Sequence, residues 1–526
     1  IVLIGLSACQ KESPSGGQAV TPAIEPATSD SMSDATPEAE TERLNTWLNE
    51  RYEEELHFSP MQLTMLGRKD LYDEIDDASE EAQIKQVAWR EQTVVQLKEQ
   101  FDYDKLSTAG KESYDLWVFQ TEQAVADLAF MRHGYLFGEL GGVEDWLPTF
   151  LINFHKVETE EDMQAYIKRI SGVSGVMDQV LELAKLRAGD GMRPPRFAFE
   201  TAIDRAEKVI TGLPFNGDAD SPILKDAKGK IEALVKAGDI NEESAKEMLA
   251  QVEQKLTEQF QPAYVAFIEW LKNDMANADE QARGVSALPN GEAYYNRKLA
   301  TYTTLPMTAE DVHQQGLSEV KRILGEMQTI KESVGFDGDM AAFFEFIRTD
   351  PQFYYSNTDE GREGYLADTR EFLAEIDEKL PEYFGILPKA ELVVKRVEEF
   401  REVDGGAQHY FGGTPDGSRP GVYYVHMSDM SAYSKTDMET TAYHEGSPGH
   451  HMQVSIAQEL TGIPTFRTQA DFSVYSEGWA LYSELLAKEM GQFKDPYRDF
   501  GRLTSEMWRA IRLVVDTGLH AKGWSQ

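Results

Sequence analysis

Cysteine is almost absent from the sequence: Cys9 is the single cysteine among 526 residues. One cysteine excludes an internal disulfide framework and a thiolate-rich metal site. After the first nine residues, no apolar run approaches the 18 or more residues that a membrane-spanning helix requires. Basic residues are also scarce, with 51 lysines and arginines against 91 acidic residues and a net charge of −40. That balance argues against nucleic acid and against anionic membrane surfaces as partners.

The first ten residues, IVLIGLSACQ, form an apolar segment that includes the sequence LSAC. Without an initiator Met or a basic start, residues 1–9 are interpreted as the end of a signal peptide. LSAC resembles a bacterial lipobox, so we expect Cys9 to carry a lipid and Gln10 to direct the protein to the outer membrane. Residues 10–42 have the Ser-, Pro- and Thr-rich composition of a flexible linker. The expected location is the periplasmic side of a bacterial cell envelope, with the membrane contacted only through the lipid.

Apolar residues recur at three- and four-residue spacing through most of residues 43–290, which is the pattern of amphipathic helices. The stretch at 136–157 differs, because it contains a Gly-Gly pair, a proline and several aromatic residues, and we expect it to be irregular. In residues 390–428, β-branched and aromatic residues alternate with others between glycines and prolines. These patterns predict a mainly α-helical protein with an N-terminal helical domain at 43–290 and a later small sheet.

Residues 439–453, ETTAYHEGSPGHHMQ, hold three of the ten histidines in the chain. Imidazole is the commonest protein ligand for zinc, and a His-Glu pair followed by another histidine is typical of helix-borne zinc hydrolases. Those motifs place the histidines four residues apart, whereas His450 and His451 lie six and seven residues after His444. On an unbroken helix, a separation of six residues is a rotation of about 600°, so His450 would point well away from His444. A separation of seven residues returns His451 to the face of His444 but places it about 10 Å along the axis, too far for both to bind one ion.

The helix must therefore be interrupted between the histidines. Gly446, Pro448 and Gly449 favour an interruption there, and Ser447 is a suitable N-cap for a helix that begins with proline. We predict that one helix ends near Glu445 and that another starts at Pro448. Glu445 is the candidate general base, and spacing alone leaves the second metal ligand open between the two later histidines.

A hydrolytic zinc site needs a third protein ligand and one position left for water. Residues 471–491 have apolar side chains at helical spacing, and Glu477 in this stretch lies 27 residues after His450. Glu477 is the predicted third ligand, and Glu484, two turns further along the same face, is the alternative. Tyr482 on the same predicted helix is a candidate to donate to an oxyanion.

A basic group or a histidine near a metal can bind a substrate carboxylate or stabilise an oxyanion. Arg509 and His520 lie on one predicted helical stretch, and their separation of eleven residues returns His520 to nearly the same helix face. We predict that Arg509 binds substrate and that His520 takes part in catalysis.

The sequence HEGSPGHH, followed by YSEGWALYSE, is similar to the bacterial family catalogued as domain of unknown function 885, which includes many proteins described as lipoproteins. GMRPPRF at 191–197, NGEAYYNRKLATYTT at 290–304 and WRAIRLVVDTGLHAKGWS at 508–525 also fit, so the resemblance extends from about residue 40 to the end. The family normally continues past this GWS with a further helical segment. We therefore expect the metal-binding catalytic domain, residues 291–526, to be truncated at its C-terminus.

This family resembles the helical gluzincin peptidases of the thimet-oligopeptidase and carboxypeptidase Taq type. The resemblance implies His444, His450 and Glu477 as ligands of one zinc ion and Glu445 as the base. His451 stays the alternative ligand that the spacing leaves open. The two-residue insertion between the histidines is a departure, because those peptidases lack it.

The same resemblance implies a small sheet next to the metal-site helices and a deep cleft that admits short peptides. In gluzincins an edge strand pairs with the substrate backbone, which gives affinity through main-chain hydrogen bonds. GVYYVH at 421–426 is the candidate edge strand, and Tyr423 and Tyr424 are the candidate substrate contacts.

Together these observations predict a zinc-dependent hydrolase that cleaves peptide bonds of short peptides in the cell envelope, with Glu445 accepting a proton from the attacking water. One alternative is hydrolysis of another amide or of an ester. A second is a metal-binding lipoprotein that captures peptides or a partner without cleaving them. Geometry separates these functions, because an enzyme needs the base beside an open metal position in an accessible cleft.

Overall fold

The structure is a computed structural model that describes residues 36–138, 141–399 and 401–525. It is 67% helix and 4% strand, which confirms the prediction of a mainly α-helical protein with small sheets. Within the described ranges, no helix is both long and apolar enough to cross a membrane. Cys9 and the predicted linker up to residue 35 lie outside them.

The first helix begins at Pro37, inside the predicted linker. Thr36 caps this helix by accepting a hydrogen bond from the N–H of Ala39 at 3.3 Å, and proline is favoured at a first helical position. The helices of the N-terminal half are α1 (Pro37–Leu56), α2 (Pro60–Met65), α3 (Glu80–Gln100), α4 (Thr108–Leu128), α5 (Val143–Asn153), α6 (Glu160–Gly189), α7 (Arg196–Val209), α8 (Pro222–Ala237), α9 (Glu242–Lys255) and α10 (Gln261–Asp274). A short hairpin of β1 (Phe137–Gly138) and β2 (Gly141–Gly142) precedes α5.

Helix α5 occupies half of the stretch at 136–157, which we predicted to be irregular. Pro148 lies inside this helix and has no N–H to donate to the carbonyl of Glu144, four residues earlier. The hydroxyl of Tyr264 on α10 donates to that carbonyl instead, at 2.7 Å. The prediction failed for the helical half of the stretch, because the replacement donor comes from a residue 120 positions away in the chain.

The C-terminal half contains the remaining helices and a three-stranded sheet. The helices are α11 (Gly291–Thr303), α12 (Ala309–Ser333), α13 (Met340–Thr349), α14 (Asp359–Asp377), α15 (Leu380–Tyr383), α16 (Lys435–Glu445), α17 (His450–Glu459), α18 (Thr465–Thr468), α19 (Ser473–Glu489) and α20 (Pro496–His520). The strands are β3 (Leu392–Arg396), β4 (His409–Phe411) and β5 (Gly421–Val425).

The sheet has the order β3-β5-β4, with β5 parallel to β3 and antiparallel to β4. Strand β5 is therefore central, and all five of its residues are buried. This arrangement corrects the prediction that 421–426 forms an edge strand. The alternating residues of GVYYVH form a strand whose backbone is already paired on both sides. Strand β5 therefore has no free edge with which a substrate could pair.

The hydrophobic cores lie mostly on either side of the predicted boundary near residue 290. One core contains buried residues from Met61 to Leu271, and another contains residues from Tyr365 to Phe493. Phe466 packs with the first helices of the chain and links the two halves. Helix α20 packs against both α12 and α16, and this contact brings Arg509 beside the end of α16.

Candidate metal centre

The metal motif spans two helices that are separated by a four-residue loop. Helix α16 ends at Glu445 and α17 starts at His450, so the predicted interruption is confirmed. The second helix starts two residues later than predicted. Gly449, and not Ser447, precedes its first residue, and the Ser447–Pro448 peptide bond is cis.

The loop folds back tightly onto the end of α16 at Gly449. A Cβ atom there would lie 2.0 Å from the carbonyl oxygen of His444 and 2.3 Å from that of Tyr443, too close for any side chain. Glycine therefore lets the chain return beside the helix that it has just left. As a result, the rings of His444 and His450 come together, with their centroids 4.8 Å apart and their planes at 84°.

Glu477 on α19 completes a cluster with these two histidines. Its carboxylate oxygens lie 3.6 Å from the Nε2 of His444 and 3.7 Å from the Nε2 of His450. The three candidate ligand atoms all lie within 4.8 Å of one another, and no other such group exists in the part of the chain that the structure describes. Two ligands bonded to a tetrahedral zinc ion are about 3.4 Å apart, so the separations are close to those that one ion requires.

The second nitrogen of His444 faces a buried carboxylate. Its Nδ1 lies 2.9 Å from the Oε1 of Glu484. A carboxylate accepts but does not donate, so Nδ1 carries a proton and Nε2 is left to face the cluster. This is the usual arrangement behind a metal-binding histidine. The donor set therefore fits one zinc ion, and Glu484, our alternative third ligand, lies behind His444 instead of within the cluster.

His451, the alternative second ligand, points away from the cluster towards the sheet. Its Nε2 donates to the carbonyl of Ala390 at 3.1 Å, and its Nδ1 lies 3.1 Å from the hydroxyl of Tyr410 on β4. Both ring nitrogens are thus engaged by other groups. The structure places His450, and not His451, among the candidate ligands.

Glu445, the predicted base, is buried beside the cluster. Its carboxylate makes no hydrogen bond within the described ranges. Burial raises the pKa of Glu445 to about 7, and the charges of His444, Glu477 and Arg509 also act on it, so the carboxylate is within electrostatic reach of the ligands. A carboxylate with a pKa near neutrality is suited to accept and release a proton.

The candidate ligands differ in protonation. Burial lowers the pKa of His450 to about 4, so its imidazole is neutral, the form that binds metals. Burial also lowers the pKa of His444, but hydrogen bonds to Glu477 and Glu484 outweigh it and raise that pKa to about 9. The hydrogen bond from His444 lowers the pKa of Glu477 to about 2. Metal binding releases protons from ligands, so an ion would replace the proton on the Nε2 of His444.

Arg509 lies directly beside this cluster. Its Nη2 is 3.0 Å from the Nδ1 of His444 and 3.3 Å from the Oε1 of Glu484. Because arginine only donates, the Glu484 oxygen accepts from both neighbours. Ser505, one turn earlier on α20, holds the guanidinium through a hydrogen bond of 2.5 Å from Nη1 to its Oγ. Arg509 thus brings a positive charge to the site, and its predicted role in substrate binding stays a prediction.

His520 lies on the same helix as Arg509 but does not reach the cluster. A helix rises about 1.5 Å per residue, so eleven residues place His520 about 16 Å further along α20. There its Nδ1 accepts a hydrogen bond from the N–H of Val285 at 2.9 Å, and its ring stacks on Tyr295. The helical face was predicted correctly, but the distance along the axis excludes a direct catalytic role.

The three tyrosines that we predicted at the site make no hydrogen bond with the cluster in the described part of the chain, although the charge of Glu445 helps to raise the pKa of Tyr423. Tyr423 is fully buried and donates to Gln408, and Tyr424 is buried on the opposite face of β5, where it stacks on His409. Tyr482 is 48% exposed but is five residues after Glu477, which turns it about 140° away from the ligand. None of the three contacts the cluster.

Our sequence-based reasoning missed the positions of Glu484 and Ser505. The spacing predicts that Glu484 lies on the same helix face as Glu477. Its contact with the Nδ1 side of His444 depends on how α16 and α19 pack, which the spacing does not predict. Ser505 lies four residues before Arg509, a spacing at which helical side chains meet. That spacing was the one available signal for its role.

Comparison with known proteins gives a family and two related structures. A family model described as bacterial protein of unknown function, DUF885, matches residues 60–526. The crystal structure of a putative lipoprotein from Colwellia psychrerythraea is similar, with 26% identity and a TM-score of 0.83, covering 93% of this chain and 84% of that chain. A putative lipoprotein of unknown function from Shewanella oneidensis has the same coverage, 16% identity and a TM-score of 0.61, which indicates a shared fold. No curated protein matches the chain.

Proposed function

The chain belongs to the bacterial family DUF885, and we propose that it is a zinc-dependent hydrolase that cleaves peptide bonds of short peptides in the cell envelope. One observation carries the proposal: the Nε2 atoms of His444 and His450 and the carboxylate of Glu477 all lie within 4.8 Å of one another, a group that could hold one metal ion. A buried carboxylate, Glu445, lies next to them without a hydrogen-bond partner in the described part of the chain.

His444, His450 and Glu477 would hold the metal. When bound, zinc supplies Lewis acidity, which lowers the pKa of a water molecule and polarises a carbonyl group. Structural zinc sites are closed by four protein ligands, whereas catalytic sites have three and an open position. Three side chains gather here among the described residues, and the side chain of Glu477 is 60% exposed. Both features support a catalytic site that water and substrate can reach.

Glu445 acts as the general base. Burial holds the pKa of its carboxyl near 7, so it is partly ionised at neutral pH and can accept a proton from the attacking water. The same carboxyl then donates that proton to the leaving amine. Because Glu445 directly follows His444 at the end of α16, its backbone is fixed by the helix that carries the first ligand.

Arg509 binds the substrate next to the base. Its side chain is partly exposed, and Ser505 and Glu484 hold its guanidinium in place. A positive group held in this way can donate to a peptide carbonyl or to the carboxylate of a short peptide. Zinc-dependent hydrolysis of a peptide bond uses a base and a positive group beside the metal, and Glu445 and Arg509 could fill these two roles.

The relatives and the N-terminal sequence both support a location in the cell envelope. Both related structures are described as putative lipoproteins. We propose that this chain is likewise lipidated, at Cys9, and is anchored to the outer membrane with its catalytic part in the periplasm. Its substrates would then be short peptides of the cell envelope.

The proposal is tested by metal content together with peptide hydrolysis. Plasma mass spectrometry of the wild type should find about one zinc per chain. His450→Ala should lose the zinc, whereas His451→Ala, a matched control one residue away, should keep it. A pool of short peptides should be hydrolysed by the wild type and by His451→Ala. Zinc without hydrolysis would favour a binding lipoprotein, and no zinc after reconstitution would remove the basis of the proposal.

A further inference from the structure

Helix α19 contacts the metal motif through a tryptophan as well as through its glutamates. The indole Nε1 of Trp479 donates to the carbonyl of Pro448 at 2.8 Å. The hydroxyl of Ser483, one turn further along α19, lies 3.2 Å from the same carbonyl. Pro448 is two residues before His450, in the loop that separates the two histidines. The helix that carries Glu477 therefore also holds the loop that leads into His450, the first residue of α17.

The loop is restrained on its other side as well. Gly449 is packed against the last carbonyls of α16, where an added Cβ would be 2.0 Å from the oxygen of His444. Gly446 is similarly close, with an added Cβ 2.7 Å from the oxygen of Ala442. The loop is thus held between the end of α16 and the two donors on α19. Its position decides where the imidazole of His450 lies relative to Glu477.

We propose that Trp479 is a positioning residue for the metal site. Its N–H holds the carbonyl of Pro448 so that the Nε2 of His450 stays at ligand distance from His444 and Glu477, and Ser483 supports the same carbonyl. Trp479 itself does not touch the cluster. The inference rests on the metal-binding part of the proposed function and does not depend on peptide hydrolysis.

We expect the positioning role of Trp479 to depend on its indole N–H group more than on the packing of its ring. The indole is half-buried, and its nearest aromatic neighbours are Tyr482 and Phe384, with centroids 6.0 and 6.4 Å away. Phenylalanine would keep most of this packing but would leave the Pro448 carbonyl without its closest donor. Outer-shell groups that orient metal ligands typically change metal affinity about 10- to 100-fold when removed.

The test compares zinc affinity and cobalt spectra for Trp479→Phe and Ser483→Ala with those of two control variants. Trp270→Phe is the matched tryptophan control, because the Trp270 indole packs in the N-terminal core and makes no hydrogen bond among the described residues. The hydroxyl of Ser483 lies 2.9 Å from the carbonyl of Trp479, four residues earlier, as well as near that of Pro448. Ser174→Ala is the serine control, because Ser174 is likewise a buried helical serine that donates to the carbonyl four residues earlier. Chelator competition gives the zinc affinity, and the absorption spectrum of bound Co²⁺ reports the ligand geometry.

We expect Trp479→Phe to bind zinc about 10- to 100-fold more weakly and to change the Co²⁺ spectrum, with a smaller effect in Ser483→Ala. Both controls should match the wild type. Zinc affinity within about twofold of wild type in both test variants, with unchanged spectra, would overturn the inference while leaving the proposed function intact. An equal loss in Trp270→Phe would also overturn it. A wild type that binds no zinc would instead refute the proposed function itself.

Discussion

The imidazole of His444 is held from both sides by carboxylates of one helix: Glu484 lies 2.9 Å from Nδ1 and Glu477 lies 3.6 Å from Nε2. The two glutamates are seven residues apart on α19, which places them on one face and two turns apart. Glu484 is buried, so its charge is little screened by water. A carboxylate behind a metal-binding histidine fixes the ring and raises its basicity as a ligand.

Replacing Glu484 by glutamine should weaken zinc binding by about 10- to 100-fold, because the amide keeps the shape of the side chain but removes the negative charge behind His444. Chelator competition measures this affinity. Glu489→Gln is the control, since Glu489 is exposed on the same helix and should bind zinc like the wild type. Equal affinities for Glu484→Gln and the wild type would show that the contact with His444 is incidental.

Replacing Glu445 by glutamine should separate metal binding from hydrolysis. Glutamine cannot accept a proton, so we expect kcat for short peptides to fall by about 100- to 10,000-fold. Zinc content should remain that of the wild type, because Glu445 is not among the candidate ligands. Peptide assays and plasma mass spectrometry on the same preparation check both expectations. Wild-type activity in this variant would exclude Glu445 as the base.

The grouping of the metal-site residues was largely predictable from residue types and spacing. Gly446 weakens a helix because its backbone is unusually free, and Pro448 cannot continue one because its φ is fixed and it lacks an N–H. The helix break between the histidines could therefore be predicted. The choice between His450 and His451 could not be made, because the first two residues of one helix differ only in where their side chains point. That direction is set by Tyr410 and Ala390, which lie far away in the sequence.

The predictions that failed have a common physical cause. Helical spacing gives the direction of a side chain but not its distance from a site, which is why His520 shares a face with Arg509 without reaching the cluster. Strand alternation likewise does not distinguish an edge strand from a central one, so Tyr423 was assigned to a free edge that β5 does not have. In both cases the missing information is the packing of elements that are distant in the chain.

Tyr264 should be needed for the proline-containing helix α5. Tyr264→Phe removes the hydroxyl that donates to the Glu144 carbonyl, and this buried acceptor would then have no partner to replace the N–H that Pro148 lacks. We expect the free energy of unfolding to fall by about 1–3 kcal/mol, measured by urea denaturation. Tyr52→Phe is the control, because Tyr52 is buried in the N-terminal half but its hydroxyl makes no hydrogen bond within the described ranges. Equal losses in the two variants would contradict this explanation of α5.

Zinc should stabilise the wild-type protein, because His444, His450 and Glu477 come from three helices that an ion would link. At a free zinc concentration 100 times the Kd, binding to the folded state contributes about 2.7 kcal/mol, seen as a rise in Tm over the chelator-treated protein. His451→Ala should show the same rise and His450→Ala none. Each variant is compared with its own metal-free form, so any packing lost at buried His451 cancels. A zinc-dependent rise in His450→Ala as large as that in the wild type would mean that the ion binds elsewhere.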